Sequence, residues 1–273
     1  MNRLHQIALA EEARQALGTA EISLEAEPIA GGWMGYGGKG TWANQAAGLG
    51  LNGPVTDDEL DRLVEFYTSR GVQPQIEVCP FVDESLIAGL AKRGFLLREF
   101  ENVFAREIAD DENLRAVYPH QWPKDLVIEH VDPSDDGAVE QLVEVATSGF
   151  RPPDEPISDV FRDISINMVK HKRSDSFLAL IDGKPVGGAS MESTPEIACL
   201  FGTSVVPTFR RRGIQSILMI LRMERARERG SRLVAIHSNP GISTERNAMR
   251  LGFFLAYTKC VMTMPREGLL ASP

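Results

Sequence analysis

The stretch Val205-Val-Pro-Thr-Phe-Arg-Arg-Arg-Gly-Ile-Gln-Ser216 decides the fold of this chain. The apolar run over 199–206 predicts a strand, and Pro207 ends it because proline has no N–H to donate. A helical pattern begins at Ser216 and stops at Gly230. A strand, a basic glycine turn and a helix start together favour phosphate binding. Backbone N–H groups, the positive end of the helix and guanidinium groups all attract that anion.

The two halves of the chain repeat one pattern: helix, Arg-Gly, strand, proline, helix, Gly-Phe, strand. The glycines that mark it are Gly71 and Gly94 in the first copy, 23 positions apart, and Gly230 and Gly252 in the second, 22 positions apart. The repeat predicts two related α/β modules in tandem. In the first copy the long helix starts with the acidic residues of 57–59, which repel phosphate. Only the second module is therefore expected to hold one.

Length and composition set the domain prediction. The chain has 273 residues and is 43% apolar, which suffices for two modest domains with cores. The acidic, proline-containing stretch 110–125 is predicted to be a linker between a module over 1–109 and one over 126–273. We predict two mixed, mostly antiparallel sheets, each flanked by helices.

Charge and cysteine use exclude several function classes. The net charge of −9 argues against nucleic-acid binding. No apolar run is long enough to predict a membrane span or an export signal. The cysteines are widely spaced and form no CxxC or Cys/His cluster, so we predict reduced thiols in the cytoplasm and no metal. They are Cys79, Cys199 and Cys260.

With this context in place, Arg210-x-x-Gly213-x-Gln215 resembles the signature of the GNAT acetyltransferase superfamily, which cradles the pyrophosphate of acetyl-CoA. Gln215 stands where the family usually has a small residue. The stretch 239–253, which ends at Gly-Phe, is similar to the family's closing motif. The resemblance covers residues 126–264, and the first half resembles a degenerate GNAT module.

The resemblance implies that strands 197–206 and 232–238 splay apart and hold the pantetheine arm of acetyl-CoA between them. It implies a cofactor-binding set from the first strand, the turn, the helix start and the region after the second strand. That set is Val205, Val206, Arg210, Arg211, Arg212, Gly213, Ile214, Gln215, Ser216, which could also cap the helix, Asn239 and Asn247.

The implied reaction is direct attack of a primary amine on the acetyl thioester, which needs a base, an oxyanion donor and an acid. The family often places an acidic tyrosine four residues before the Gly of Gly-Phe, where this chain has Ala248. Tyr257 is the substitute predicted for that acid and Glu192 the predicted base. Asp154 and Glu155 are predicted to attract a cationic acceptor, either a small molecule or a peptide.

Blander interpretations stay open beside these. Tyr257 and His237 fit packed or hydrogen-bonded core positions, and Cys199 fits a small buried apolar residue. Glu192 could simply keep a hairpin soluble. The missing tyrosine leaves a rival function, a non-catalytic protein that binds or senses acyl-CoA. A monomer and a homodimer are both compatible with the sequence.

Overall fold

Two compact units make up the described part of the chain. The computed structural model describes residues 2–118, 121–150 and 155–272. The first unit contains the residues up to Val103 together with those from Ala256 onward, and the second contains Phe104–Leu255. Among the described residues, no helix has both the length and the apolar character that crossing a bilayer requires.

The first unit combines a mixed sheet with three helices. In chain order its elements are α1 (Arg3–Ile22), β1 (Glu25–Ile29), β2 (Gly32–Tyr36), β3 (Gln45–Ala47), α2 (Asp57–Thr68), β4 (Gln75–Val78), α3 (Glu84–Lys92) and β5 (Leu96–Glu107), which continues into the second unit. The strand order β1-β2-β3-β4 is antiparallel except for a parallel β3–β4 pair. Thr56 and Glu59 form a capping box at the start of α2.

Strand β1 was not predicted from the sequence. It is a polar strand with Pro28 inside it, and most of its side chains are exposed. Pairing on one side with β2 explains why proline is tolerated, because an edge strand leaves one row of N–H groups unpaired in any case. A solvated edge strand lacks the alternating apolar pattern that marks a strand in a sequence.

The second unit carries the predicted strand–turn–helix. After the end of β5 its elements are β6 (Leu126–His130), α4 (Asp136–Thr147), α5 (Asp159–Lys170), β7 (Ser174–Ile181), β8 (Lys184–Ser193), β9 (Ala198–Val205), α6 (Ile214–Glu228), β10 (Leu233–Ser238), α7 (Ser243–Arg250) and the first residues of β11 (Phe254–Thr263). The strand order is β6-β7-β8-β9-β10, antiparallel up to a parallel β9–β10 pair. One face of this sheet packs on α6 through Leu200, Met219 and Met223.

The division between the units differs from the predicted boundaries in three respects. Most of β11 belongs to the first unit, where it pairs antiparallel with β4 and where Met264 joins the core. The end of β5 belongs to the second unit, where Phe104 and Ile108 are buried in the core. The stretch predicted to be a linker lies in the second unit and contains a short 3-10 helix, Leu114–Val117. Leu114 is buried in that same core.

Candidate active site

A gap opens between the two central strands of the second unit. β9 and β10 pair in parallel through Ala198–Val234, Cys199–Ala235 and Leu200–Ile236. Beyond Leu200 the pairing stops, although β9 continues to Val205 and β10 to Ser238. The backbone edges that face each other past this point are therefore released from strand pairing and can bind an extended ligand.

A β-bulge at Gly202 accounts for the divergence. β8 and β9 pair at Ser190–Phe201 and then at Gly188–Ser204, so β9 contains one residue more than its partner. Gly202 has φ +59, the left-handed conformation that a bulge of this type takes at glycine. A bulge bends the strand that carries it, and this one lies two residues past the last pair with β10.

A buried arginine holds the bulge in place. Arg222, on α6, is fully buried, and its Nη1 donates to the carbonyls of Ser190 (2.8 Å) and Phe201 (3.1 Å). Its Nε donates to Leu218 O within the helix. These bonds satisfy carbonyl groups next to the irregular register, which would otherwise be buried without partners.

The turn after β9 presents the start of α6 without a side-chain cap. A 3-10 turn, Pro207–Phe209, leads through Arg211 (φ +64) to Gly213 (φ +80), which is the N-cap residue. Among the described residues, no side-chain cap is seen at this helix start. Ser216 is the third residue of α6, so the predicted cap role for it is wrong. The uncapped N–H groups and the helix dipole together form an anion-binding end.

The three arginines of the turn have different environments. Arg210 donates from Nε to the carbonyl oxygen of Val205 at 2.9 Å, which fixes the turn against the strand end. Arg212 pairs with Asp125 at 2.8 Å, and this hydrogen bond holds the pKa of the Asp125 carboxyl below its usual range. Arg211 is exposed, and within the described parts of the chain no contact to its side chain is seen. Arg211 is thus the guanidinium most available to a phosphate.

Two residues of the predicted linker contact the turn. Besides Asp125, Tyr118 packs against Gly213 so closely that a Cβ at Gly213 would lie 1.9 Å from the phenol oxygen. No pattern in the sequence indicates either contact, because both residues lie outside the helices and strands that the pattern predicts. Gly213 is therefore required twice, for its positive φ and for the space that the phenol occupies.

The remaining predicted cofactor residues surround the start of α6. Gln215 receives a hydrogen bond from Asn247 Nδ2 (2.7 Å) and donates to Thr244 Oγ1 (3.2 Å), so it links α6 to α7. These hydrogen bonds explain a long side chain at a position where a small residue is usual.

Three other predicted cofactor residues have separate environments. Ile214 is buried in the core beneath the turn. Asn239 is exposed just past β10. Val206 N–H donates to Val186 O, so that group of Val206 is engaged by β8.

The structure argues against the predicted acid role of Tyr257. Its hydroxyl belongs to the first unit and donates to Glu12 Oε1 at 2.7 Å. Burial, reinforced by the neighbouring Glu12 and Glu11 charges, raises the pKa of this phenol well above its usual range. A phenol of this kind holds its proton and packs in a core, which agrees with the blander interpretation.

Glu192 lies on β8, buried, with Arg173 donating to Oε1 from Nε at 3.0 Å and from Nη2 at 2.5 Å. The base role of Glu192 stays a prediction. Ala248 is fully buried in the core, which leaves the usual tyrosine position without a polar group. Asp154 lies outside the described residues, and Glu155 is exposed.

The second unit is similar to a known protein family. Residues 139–253 match the acetyltransferase (GNAT) family, a range that contains the strand gap, the turn and α7. The second unit therefore contains a GNAT domain. This match supports acyl transfer as the chemistry of the second unit. No curated protein sequence gives a significant match.

Solved structures show that the tandem GNAT fold extends over nearly the whole chain. A GCN5-related N-acetyltransferase from Kribbella flavida is similar with a TM-score of 0.70 at 17% identity, over 95% of this chain and 96% of that one. A tandem GNAT protein from the clavulanic acid biosynthesis pathway is similar with a TM-score of 0.64 at 14% identity, over 97% and 94%. At these identities the likeness concerns the fold. The predicted fold class and the tandem arrangement are confirmed.

Proposed function

We propose that the protein is an N-acetyltransferase that transfers an acetyl group from acetyl-CoA to a primary amine by direct attack. The observation that carries this proposal is the uncapped start of α6 at Gly213, adjoining the open edge of β9. Pyrophosphate is the anion that the turn suits, and an extended amide-containing arm suits a strand edge that lacks a partner. Acetyl-CoA contains both groups in this order.

The open edge has room for such an arm. It runs from Phe201 to Val205, and at about 3.3 Å per residue it is roughly 16 Å long. Backbone groups along it can pair with the pantetheine amides, and an N–H near the closed end can stabilise the oxyanion of the tetrahedral intermediate. In the reaction the N–C bond forms and the C–S bond breaks. The amine loses a proton, and the sulfur of CoA gains one.

Calorimetric titration with CoA tests the phosphate site. Gly213→Asp is expected to bind CoA roughly tenfold or more weakly than Gly213→Asn, because the added carboxylate repels phosphate. Asparagine has nearly the same size, tolerates positive φ comparatively well and meets the same Tyr118 hydroxyl, so it is the matched control for strain. Thermal denaturation of both variants verifies that they fold. Equal CoA affinity in the two would refute the pyrophosphate assignment.

The buried Ala248 favours a second candidate, a non-catalytic protein that binds acyl-CoA. The two candidates differ in one measurement, the release of free CoA thiol when acetyl-CoA is mixed with a panel of amines. The panel should contain small amines, amino acids, aminoglycosides and peptides with free N-termini. Release that depends on an amine supports the enzyme, whereas tight CoA binding without release supports the rival. We also propose that the protein is cytoplasmic. Glu155 is proposed to lie near the acceptor amine.

A further inference from the structure

The proposed acetyl transfer leaves one chemical role unassigned, and the inference below rests on that proposed function. A proton must leave the attacking amine and another must reach the departing CoA thiolate. Ala248 cannot supply either, and Tyr257 is engaged by Glu12 in the first unit. Groups that transfer these protons have to lie where the thioester lies.

The direction of the arm fixes that place. The phosphates are expected at the turn after Val205, and the arm runs from there back along β9. Its sulfur end then reaches the closed end of the gap, at the last strand pair, Leu200–Ile236. The acetyl group is therefore expected beside the residues that flank this pair.

A cysteine and a histidine flank it on the same face. Cys199 is opposite Ala235 on the parallel partner, and His237 lies two residues further along, so both side chains point to one side of the sheet. The Cys199 sulfur and a ring nitrogen of His237 lie within 4.8 Å of each other. The thiol of Cys199 is buried, and His237 is half-buried. The two residues are 38 positions apart in the sequence, and nothing in the sequence shows that they are neighbours.

A buried positive charge acts on the thiol. Arg222 is fully buried, and burial lowers its pKa to about 9, while the interaction with Cys199 opposes this decrease. Its Nη2 has no hydrogen-bond partner in the described structure. Because this electrostatic interaction is mutual, the charge of Arg222 also stabilises negative charge on the sulfur of Cys199.

We propose that Cys199 and His237 form the catalytic proton-transfer pair of the second unit. His237 accepts the proton that the amine loses as its nitrogen bonds to the acetyl carbon. The Cys199 thiol gives its proton to the CoA sulfur as the C–S bond breaks, and the transient thiolate lies in the field of Arg222. His237 then returns its proton to Cys199. The net reaction moves one proton from amine to CoA and requires no further reactant.

Three variants test the pair, with the amine of the panel that the wild type acetylates best. Cys199→Ser keeps the size of the side chain but replaces the thiol by a far weaker acid, and His237→Gln removes the base. Both are expected to lower kcat by about 10²–10⁴-fold, with the CoA dissociation constant unchanged in calorimetry. Added imidazole should restore part of the rate to a His237→Gly variant. Cys260→Ala, which removes a half-buried thiol of the first unit, is the control and should retain wild-type kcat.

Several results would overturn the inference. Wild-type kcat in Cys199→Ser shows that the thiol transfers no proton, and wild-type kcat in His237→Gln shows the same for the imidazole. A stable acetyl group on Cys199, found by intact-mass spectrometry after mixing wild type with acetyl-CoA alone, makes this residue a nucleophile instead. If wild type binds CoA but releases none with any amine, the proposed function itself fails. In that case the wild type itself is inactive, so Cys199 and His237 have no proton-transfer role either. Loss of activity in the variants alone, with an active wild type, is a different result and supports the pair.

Discussion

Replacing Lys259 by methionine should unfold the first unit at much lower denaturant concentration. Lys259 is fully buried on β11, and three carboxylates surround its ammonium group. Glu77 pairs with it directly, Glu101 lies at 3.5 Å and Glu12 at 3.6 Å, and Gln15 accepts a further hydrogen bond. Burial alone would lower the pKa of this lysine, but the carboxylates outweigh burial and raise it above its usual range.

The expected magnitude follows from what the substitution leaves behind. Methionine fills a similar volume, so the packing loss is small, while Glu12 and Glu77 remain buried without their cation. Removing one partner of a buried ion pair costs about 3–5 kcal/mol. The control, Lys92→Met, removes an ion pair with Asp57 at 3.6 Å in which both side chains are mostly exposed. An exposed pair of this kind contributes at most about 1 kcal/mol.

Equilibrium urea unfolding near neutral pH measures both variants, and acidification supplies a second readout. Burial already raises the pKa of Glu77. A carboxyl with a raised folded-state pKa binds more protons in the folded protein, so the variant should regain stability as the pH falls towards that pKa. The double variant Lys259→Met/Glu77→Gln should recover part of the loss for the same reason. A loss no larger than that of Lys92→Met, with no recovery in acid, would refute the reasoning.

Three further outcomes are expected. Burial by itself would raise the pKa of Asp175, but hydrogen bonds from Arg229 and two other groups outweigh burial, so the pKa in the folded protein is lowered. The carboxylate therefore stabilises the fold above pH 3.8, and this stabilisation is lost as the pH falls through the folded-state pKa. In urea unfolding, Asp175→Asn should be less stable than wild type at neutral pH, and the difference should disappear in acid. Gly89→Ala should cost about 1–3 kcal/mol, because its Cβ would lie 2.2 Å from Leu60 Cδ1 in the core; unchanged thermal stability contradicts this. Thr56→Ala should cost about 1 kcal/mol through loss of the capping box, and an unchanged urea midpoint argues against that contribution.

Much of the secondary structure follows from local pattern. The capping box at Thr56, the Asp-Gly hairpin between β7 and β8, and the helix that ends before Gly230 are each specified by a few neighbouring residues. The polar edge strand β1 escaped prediction because its exposure removes the apolar alternation on which such predictions depend. The turn from Pro207 to Gly213 was predictable because its residues are consecutive in the sequence.

Contacts between distant segments of the chain were less accessible to sequence reasoning. Tyr257 was the nearest phenol along the chain, yet it donates to Glu12, 245 residues away in sequence. Cys199 and His237 fit unremarkable core positions when each is considered alone, and only the parallel register places them side by side. Proximity along the chain is a poor guide to proximity across a sheet.

By itself, the sequence determined the tandem repeat, the order of most of the helices and strands, and which of the two modules starts its long helix after a basic glycine turn. Each helix, strand and turn in this order is specified by residues near one another along the chain. Only the tertiary structure decided that β11 pairs with β4, that the bulge at Gly202 parts β9 from β10, and that Arg222 supports this bulge from within α6. The physical reason is that β5 and β11 carry similar local patterns, so their partners are selected by packing between distant segments.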